Sequence, residues 1–339
     1  MSEEKVRVAV IGCGIFGSIH ATSFAQDERS ELVWVCDVDE RRARKAAALH
    51  RCRWTSSSRE IARDRSVAAV SIATPDFAHT AVALEMLRAG KHVLIEKPLA
   101  TSLKEARSIV EAARKAKVKL MVDFHNRWSP PFVAARRMVQ EGRFGELVVG
   151  YARLSDRREV PLRWLAWAGR SGPQWFLMPH LLDLLRWLTG QEAVEVFATG
   201  ARGVLREHGL DCLDAVQAQV RYSKGLATAE ACWVLPDGWP SVIDFKVSLV
   251  GTKGKIDAVC DHQGLAFTSR RHDTPFLMSS LEIDGRATGF MHLPMRHFVR
   301  CVLGDTEPSV SGEDGLVNVA TIAAIERSLA TGRPAKVAL

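Results

Sequence analysis

Six residues near the N-terminus, Gly12-Cys13-Gly14-Ile15-Phe16-Gly17, space three glycines as G-x-G-x-x-G. They follow VRVAVI (6–11), a β-branched run that reads as a buried strand, and they open a stretch of helical character. In that context each glycine has its own task. Gly12 permits a tight turn, Gly14 lets the backbone approach a ligand, and Gly17 lets the helix pack closely on the sheet. Unpaired N–H groups and the helix dipole then face an anion, which suits a pyrophosphate. Asp37 lies twenty residues past Gly17, at the end of a second strand. A carboxylate there accepts hydrogen bonds from a ribose 2′-OH and repels a 2′-phosphate, favouring NAD over NADP. Arg41 and Arg42 pull the other way, because two guanidiniums nearby can hold a phosphate.

A second stretch with chemical potential is WFLMPHLLDLLRWL (175–188). His180 and Asp183 stand in an otherwise apolar run. On a continuous helix, positions 176, 180, 183 and 187 form one stripe and positions 177, 181, 184 and 188 its neighbour. The leucines fill the second stripe; His180 and Asp183 share the first, between Phe176 and Trp187. A histidine titrates in the range where proton transfer at neutral pH is efficient. A helix with a polar pair on one edge suits a cleft wall, and a satisfied core histidine is the competing interpretation.

The elements that must position these groups change character along the chain. ELVWVCD (31–37), VAAVSIA (67–73), KHVLIEKP (91–98) and VKLMVDF (118–124) read as strands. Helical stretches at 39–50, 77–90 and 102–117 lie between them, with Gly90 in a C-terminal cap position. Such alternation predicts a doubly wound parallel sheet with helices on both faces. Beyond about residue 145 come ELVVGYARL, AVEVFATGA, AVQAQVRY, LATAEACWVL and VIDFKVSLVG, mostly without helices between them. These predict a mostly antiparallel open sheet in a second, α+β domain. A helix at 174–189 lies early in that domain, and helices at 291–303 and 313–331 close it. The expected boundary divides residues 1–124 from 125–339.

Composition sets further bounds. The 46 Lys and Arg against 39 Asp and Glu leave a net charge of +7. The basic pairs Arg41-Arg42, Arg136-Arg137, Arg157-Arg158 and Arg270-Arg271 are scattered, without the basic and aromatic block of a nucleic-acid binder. No apolar run approaches the roughly 20 residues that span a bilayer. MSEEKVRVAV lacks the basic start and cleavage site of a secretory signal, so a cytoplasmic address is the default expectation. The seven cysteines include no C-x-x-C pair. They read as reduced core residues, and neither a disulfide framework nor a metal site is expected. His125 and His292 have no partner at ligand spacing either.

Several further segments carry a family resemblance. They are Ala73-Thr74-Pro75 followed by His79, then AGKHVLIEKPLA (89–100) with Glu96-Lys97-Pro98, DFHNRW (123–128), PHLLDLLRWLTG (179–190) and HFVRCVLGDTEPSVSGEDGL (297–316). In this order and spacing the chain resembles the glucose–fructose oxidoreductase, inositol dehydrogenase and MocA family, from about residue 6 to 335. The resemblance implies a Rossmann cofactor domain and an NAD(P)-dependent oxidoreductase acting on a sugar, cyclitol or derivative. It implies that Gly12, Gly14, Ile15, Phe16, Gly17, Asp37, Thr74, Pro75, His79, Glu96 and Lys97 face the cofactor. It further implies that Lys97 points at the reacting hydroxyl, with Pro98 often following a cis bond. Lys97 and His180 would then form the acid/base pair: an ordinary lysine titrates at about 10.4, and burial or a neighbouring positive charge lowers it. Asp183 would bind a substrate hydroxyl or orient His180. Asn126 and Arg127, at the exit from the cofactor domain, would contact substrate or cofactor, or brace a hinge. Trp164, Trp167 and Trp175 offer faces for a sugar ring or simply core material, and Arg153 and Arg157 are surface residues or acid-binding groups.

One position departs from the family. Many members carry an aspartate four residues before the histidine; here it is Phe176. The competing readings are therefore a retained-cofactor hydrolase or epimerase, and a non-catalytic nucleotide-sensing protein on the same scaffold. The resemblance also implies a homodimer or homotetramer, paired through the open sheet.

Overall fold

The computed structural model of the protein describes residues 5–269, 272–275 and 277–339. Of the basic pairs named above, Arg270-Arg271 lies outside the described residues. The chain divides into two compact units. One comprises the residues up to His125 together with Ser279–Leu316, and the other comprises Asn126–Met278 and Val317–Leu339.

The first unit alternates strand and helix. Its elements are β1 (Val6–Ile11), α1 (Ile15–Gln26), β2 (Ser30–Cys36), α2 (Glu40–His50), β3 (Arg53–Thr55), α3 (Ser58–Arg63), β4 (Ala69–Ile72), α4 (His79–Arg88), β5 (His92–Glu96), α5 (Leu103–Ala116) and β6 (Leu120–Asp123). The six strands form one sheet in the order β3-β2-β1-β4-β5-β6, and every pairing is parallel. Strand order reverses between β1 and β4, and in such sheets ligands bind beyond the carboxyl ends of the strands at that point. Gly12, Asp37, Ala73-Thr74, Lys97 and Asp123 all stand at those ends. The sheet holds because its central strands are apolar on both faces: β4 is buried throughout, and so are Val93, Leu94 and Ile95 of β5. Local chemistry sets the helix ends. Asp39 caps α2 by accepting from the Arg41 and Arg42 N–H groups, and Ser102 caps α5 through Glu105 N–H.

The second unit contains α6 (Pro130–Gln140), β7 (Leu147–Arg157), α7 (Pro173–Phe176), α8 (Met178–Thr189), β8 (Ala193–Ala201), α9 (Val204–Glu207), β9 (Ala215–Tyr222), β10 (Leu226–Leu235), β11 (Ile243–Gly251), β12 (Lys255–Val259) and the short pair β13 (Phe267–Thr268) and β14 (His272–Asp273). A second short pair, β15 (Leu281–Ile283) and β16 (Arg286–Thr288), and α10 (Leu293–Leu303) belong to the first unit. The chain ends with α11 (Gly312–Thr331) and β17 (Ala335–Lys336). The large sheet runs β12-β11-β7-β10-β9-β8-β17 and is antiparallel except between β7 and β10. One face alternates into a core of Ala152, Leu154, Val216, Ala218, Val220, Ala229, Ala231 and Phe245, against which α8 packs Leu181, Leu184, Leu185 and Leu188.

Three features differ from the sequence reading. Ser279–Leu316 belongs with the cofactor unit, although it falls in the expected range 125–339 of the second domain. Its α10 buries Met295, Phe298 and Val299 and packs on α1, β1 and β5. The helix expected over 174–189 is two: Leu177 separates α7 from α8, because Pro179 has no N–H to continue the ladder and its ring crowds the preceding turn. Phe176 therefore precedes the helix of His180 instead of sharing its stripe. Finally, β3, α3 and α6 were not expected. The first two are short, but α6 carries a readable start in Ser129 followed by Pro130 and Pro131.

Candidate active site

The glycine turn has the geometry its spacing implies. Gly12 sits at φ +98°, and a Cβ there would lie 2.4 Å from the Ala73 carbonyl oxygen. A Cβ on Gly17 would lie 1.8 Å from the Gly12 oxygen, so helix and turn touch backbone to backbone. Gly14 is the opposite case: a Cβ there would meet nothing within 4 Å, so its side of the turn is open. Helix α1 begins without a side-chain cap and without an acidic residue in its first turn, and Ile15 is exposed there. Asp37 closes the turn from the side. Its Oδ2 accepts from Cys13 N–H at 2.8 Å and its Oδ1 from Asp39 N–H at 2.9 Å. Arg41 and Arg42 are exposed on α2. Burial pushes the Cys13 thiol up to about 12, so it stays protonated and unreactive at neutral pH. All seven cysteines are free thiols.

The loops after β4 and β5 are tied together. His79 is buried; its Nδ1 lies 2.7 Å from the Pro98 carbonyl and its Nε2 3.0 Å from the Thr74 carbonyl. Burial holds the ring below its ordinary titration range. The Thr74 hydroxyl, beside Pro75, is buried with no hydrogen-bond partner, an orphan that a bound ligand would satisfy. The open side at Gly14, the uncapped start of α1 and this orphan hydroxyl together fit a dinucleotide.

The Lys97–Pro98 peptide is cis. Lys97 is only 4 % exposed, with its ammonium 5.8 Å from the centre of the Phe16 ring. Phe16 in turn stacks on His125, at 6.4 Å between centroids. Glu96 Oε2 accepts from Lys97 N–H at 3.2 Å. Sequence reasoning missed what lies next to Glu96. His20, on α1, places Nε2 3.2 Å from both Glu96 Oε1 and Asp123 Oδ2, while its Nδ1 lies 2.6 Å from Ser71 Oγ. A signal was available: Glu96 and Asp123 end apolar parallel strands, where a carboxylate without a cation is untenable.

The second unit holds the other predicted residues. His180, 6 % exposed, receives a hydrogen bond at Nδ1 from the Asn126 amide at 3.0 Å. Asp183 is buried and gripped bidentately by Arg127, Nε to Oδ2 at 2.9 Å and Nη2 to Oδ1 at 2.6 Å. The Trp187 ring lies 6.0 Å from the Arg127 guanidinium and 5.8 Å from that of Arg136. The residues after β6 and those on α8 thus form two matched polar pairs, Asn126–His180 and Arg127–Asp183. Phe176 packs among aromatics, 5.9 Å from Trp167 and 5.6 Å from Trp233 between ring centres. Trp175 is half-buried against the core, and Trp164 is exposed at the end of the short turn Val160–Trp164. Arg153 is paired with Asp244 at 2.8 Å, and Arg157 with Glu159.

Comparison with known proteins agrees with this geometry. Residues 6–124 match an oxidoreductase family with an NAD-binding Rossmann fold, and residues 132–257 match the GFO/IDH/MocA C-terminal domain. The chain is 26% identical to scyllo-inositol 2-dehydrogenase (NAD(+)) of Bacillus subtilis (strain 168) over 339 aligned residues, covering 98% of this chain and 96% of that protein. It is 26% identical to myo-inositol 2-dehydrogenase of Thermotoga maritima, covering 98% of each. Among solved structures, GenD2 from gentamicin A biosynthesis in complex with NAD aligns with a TM-score of 0.87 at 26% identity, covering 100% of this chain and 98% of that one. The glycine turn and the Glu96-Lys97-Pro98 loop fall within the first matched region and the α8 histidine within the second: the protein belongs to the glucose–fructose oxidoreductase, inositol dehydrogenase and MocA family of oxidoreductases, and its N-terminal domain is an NAD-binding Rossmann fold.

Proposed function

We propose that the protein is an NAD-linked dehydrogenase or reductase acting between a secondary hydroxyl and a keto group of a sugar, a cyclitol or a derivative. Bound NAD supplies the hydride acceptor; the chain's own residues must hold the substrate and manage the proton. The observation that carries the reading is Lys97, a buried lysine on the loop after β5, at the same strand ends as the open glycine turn. In this reading Lys97 Nζ exchanges the hydroxyl proton. His180 is its acid/base partner and contacts the substrate oxygen through Nε2. Asn126 fixes the ring of His180, and Arg127 holds Asp183 ionised for a second substrate hydroxyl. Trp164 is a candidate for stacking on the sugar ring. Asp37 at the end of β2 supports NAD over NADP, because a 2′-phosphate would meet its carboxylate. Among the described residues no helix is long and apolar enough to cross a membrane, which agrees with a cytoplasmic enzyme of small-molecule metabolism.

The test is reduction of NAD in the presence of a panel of sugars, sugar acids and inositols, run beside Lys97→Ala. The expected result is turnover with one substrate class and a loss of about a hundredfold or more in the variant, with NADH binding retained. Equal turnover by the variant would remove Lys97 from the chemistry. Phe176 favours a second reading. An aromatic side chain packed on Trp167 and Trp233 has no carboxylate to charge His180, as a retained-cofactor hydrolase, an epimerase or a nucleotide sensor would allow. Substrate conversion without net NADH formation would select the first two, and tight NADH binding without any conversion the third.

A further inference from the structure

The reaction scheme above gives no task to His20, a buried ionisable group. His20 belongs to the helix that starts the glycine turn, yet its ring reaches Glu96 at the end of β5, Asp123 at the end of β6 and Ser71 in β4. We propose that His20 is a positioning residue for Lys97: as an imidazolium clamped between Glu96 and Asp123, it keeps Glu96 aimed at the Lys97 backbone N–H and sets the charge state of the lysine from the side of the sheet. This deepens the reading of Lys97 as the acid/base group and rests on it.

The geometry requires the charge. Two carboxylate oxygens lie 3.2 Å from one ring nitrogen, and all three side chains are buried. Without a cation between them, two carboxylates at such range cannot both remain ionised. A doubly protonated ring donates from Nδ1 to the Ser71 hydroxyl and holds both carboxylates by charge at Nε2, at ion-pair distance from each. Desolvation alone would drive the ring neutral, but the hydrogen bonds and charges of Asp123 and Glu96 outweigh it and push His20 up to about 9. Glu96 responds in kind. Burial would raise it, and the hydrogen bond and charge of His20, followed by the charge of Lys97, hold it below the usual carboxylate range. His292, bonded to Ser23 at 2.6 Å, also feels the charge of His20; burial, Arg296 and His20 push it down to about 4, so it is neutral. His125 is held low, first by burial, and is neutral as well. The working charges are thus His20 and Lys97 against Glu96 and Asp123. The same His20, Glu96 and Asp123 are close enough to hold a metal ion. However, both ring nitrogens already make direct hydrogen bonds, and a metal would need the imidazole neutral.

Removing the imidazolium leaves Lys97 to answer both carboxylates, so its ammonium should release its proton at higher pH. The experiment uses the full chain without cofactor. Histidine 15N NMR of the wild type should show one imidazole, absent in His20→Gln, that stays protonated through pH 8. Titration of that ring at or below the ordinary histidine range would overturn the proposal. With 13C-lysine labelling, the Lys97 Cε signal, identified by its loss in Lys97→Met, should titrate about one pH unit or more higher in His20→Gln. An unchanged midpoint would also overturn it. If His20→Gln does not fold, Asp123→Asn provides a second test: with one of its two carboxylates gone, the His20 ring should titrate about one pH unit or more lower, and an unchanged ring titration would count against the proposal. None of these readouts uses turnover. A failure of the dehydrogenase reading would appear separately, as a wild type inactive on every substrate with its NMR titrations intact.

Discussion

The hydrogen bond at Nδ1 of His180 governs what its Nε2 can do. An amide N–H can only donate, so the Asn126 contact makes Nδ1 the acceptor and leaves the neutral ring's proton on Nε2. To take up a proton at Nε2, the ring must first carry one on Nδ1, and the Asn126 amide must turn its oxygen to receive it. Asn126→Asp would supply a carboxylate that prefers the Nδ1–H form, replacing some of what Phe176 removed. It should stabilise the imidazolium, raise the histidine's titration and move the acidic limb of the kcat profile to higher pH. A limb that stays in place would show that His180 does not exchange a proton in the rate-limiting step. His180→Ala should lower turnover by about a hundredfold or more, as for loss of an acid/base group; unchanged turnover would exclude the residue. His180 and Asp183 were legible in the sequence because they interrupt an apolar helix. Their partners Asn126 and Arg127 were legible only as candidates, since the pairing joins positions 54 and 56 residues apart. His20 itself could not be singled out, because the carboxylates ending β5 and β6 call for a cation without marking which residue supplies it.

At the scale of elements, two glycines in one turn should separate folding from binding. A methyl at Gly17 collides with the Gly12 carbonyl, and relieving such overpacking costs about 1–3 kcal/mol. Gly17→Ala should therefore lower Tm and weaken NADH binding together. Gly14→Ala places its methyl in open space. It should leave Tm unchanged while weakening NADH, which intrinsic tryptophan quenching and a thermal melt would resolve side by side. A Gly14→Ala variant that binds NADH normally would argue against the phosphate lying over that residue. The alternation of strands and helices in the first 124 residues could be read directly because buried parallel strands are continuous apolar runs. The split between α7 and α8 was readable in principle from Pro179, but the apolar run across it looked unbroken. β3, with three residues, is too short to carry a period.

For the whole molecule, the open face of the large sheet predicts association. Val250, Val149 and Leu226 lie side by side on three adjacent strands and are 37 %, 43 % and 39 % exposed. An apolar cross-strand row of this kind suits burial against another copy. Light scattering should give a dimer or tetramer, and Val149→Lys should shift it toward smaller species; a monomeric wild type would overturn this. Stability should also depend on pH through His20. Its folded-state titration is raised to about 9, so its contribution is complete below the unfolded value, about 6.5, and fades as pH rises through 9. Melting points should fall over that interval in the wild type and fall less in His20→Gln.

The cofactor unit is not contiguous in the chain, and this has a consequence for its biosynthesis. Its α10 and the Ser23–His292 bond join segments 269 residues apart. On the ribosome, the first 125 residues emerge long before the helix that covers α1, and until then that apolar surface has no cover. A fragment ending at His125 should consequently aggregate or recruit chaperones, whereas one that fuses residues 279–316 behind it should escape both fates, remain soluble and bind NADH.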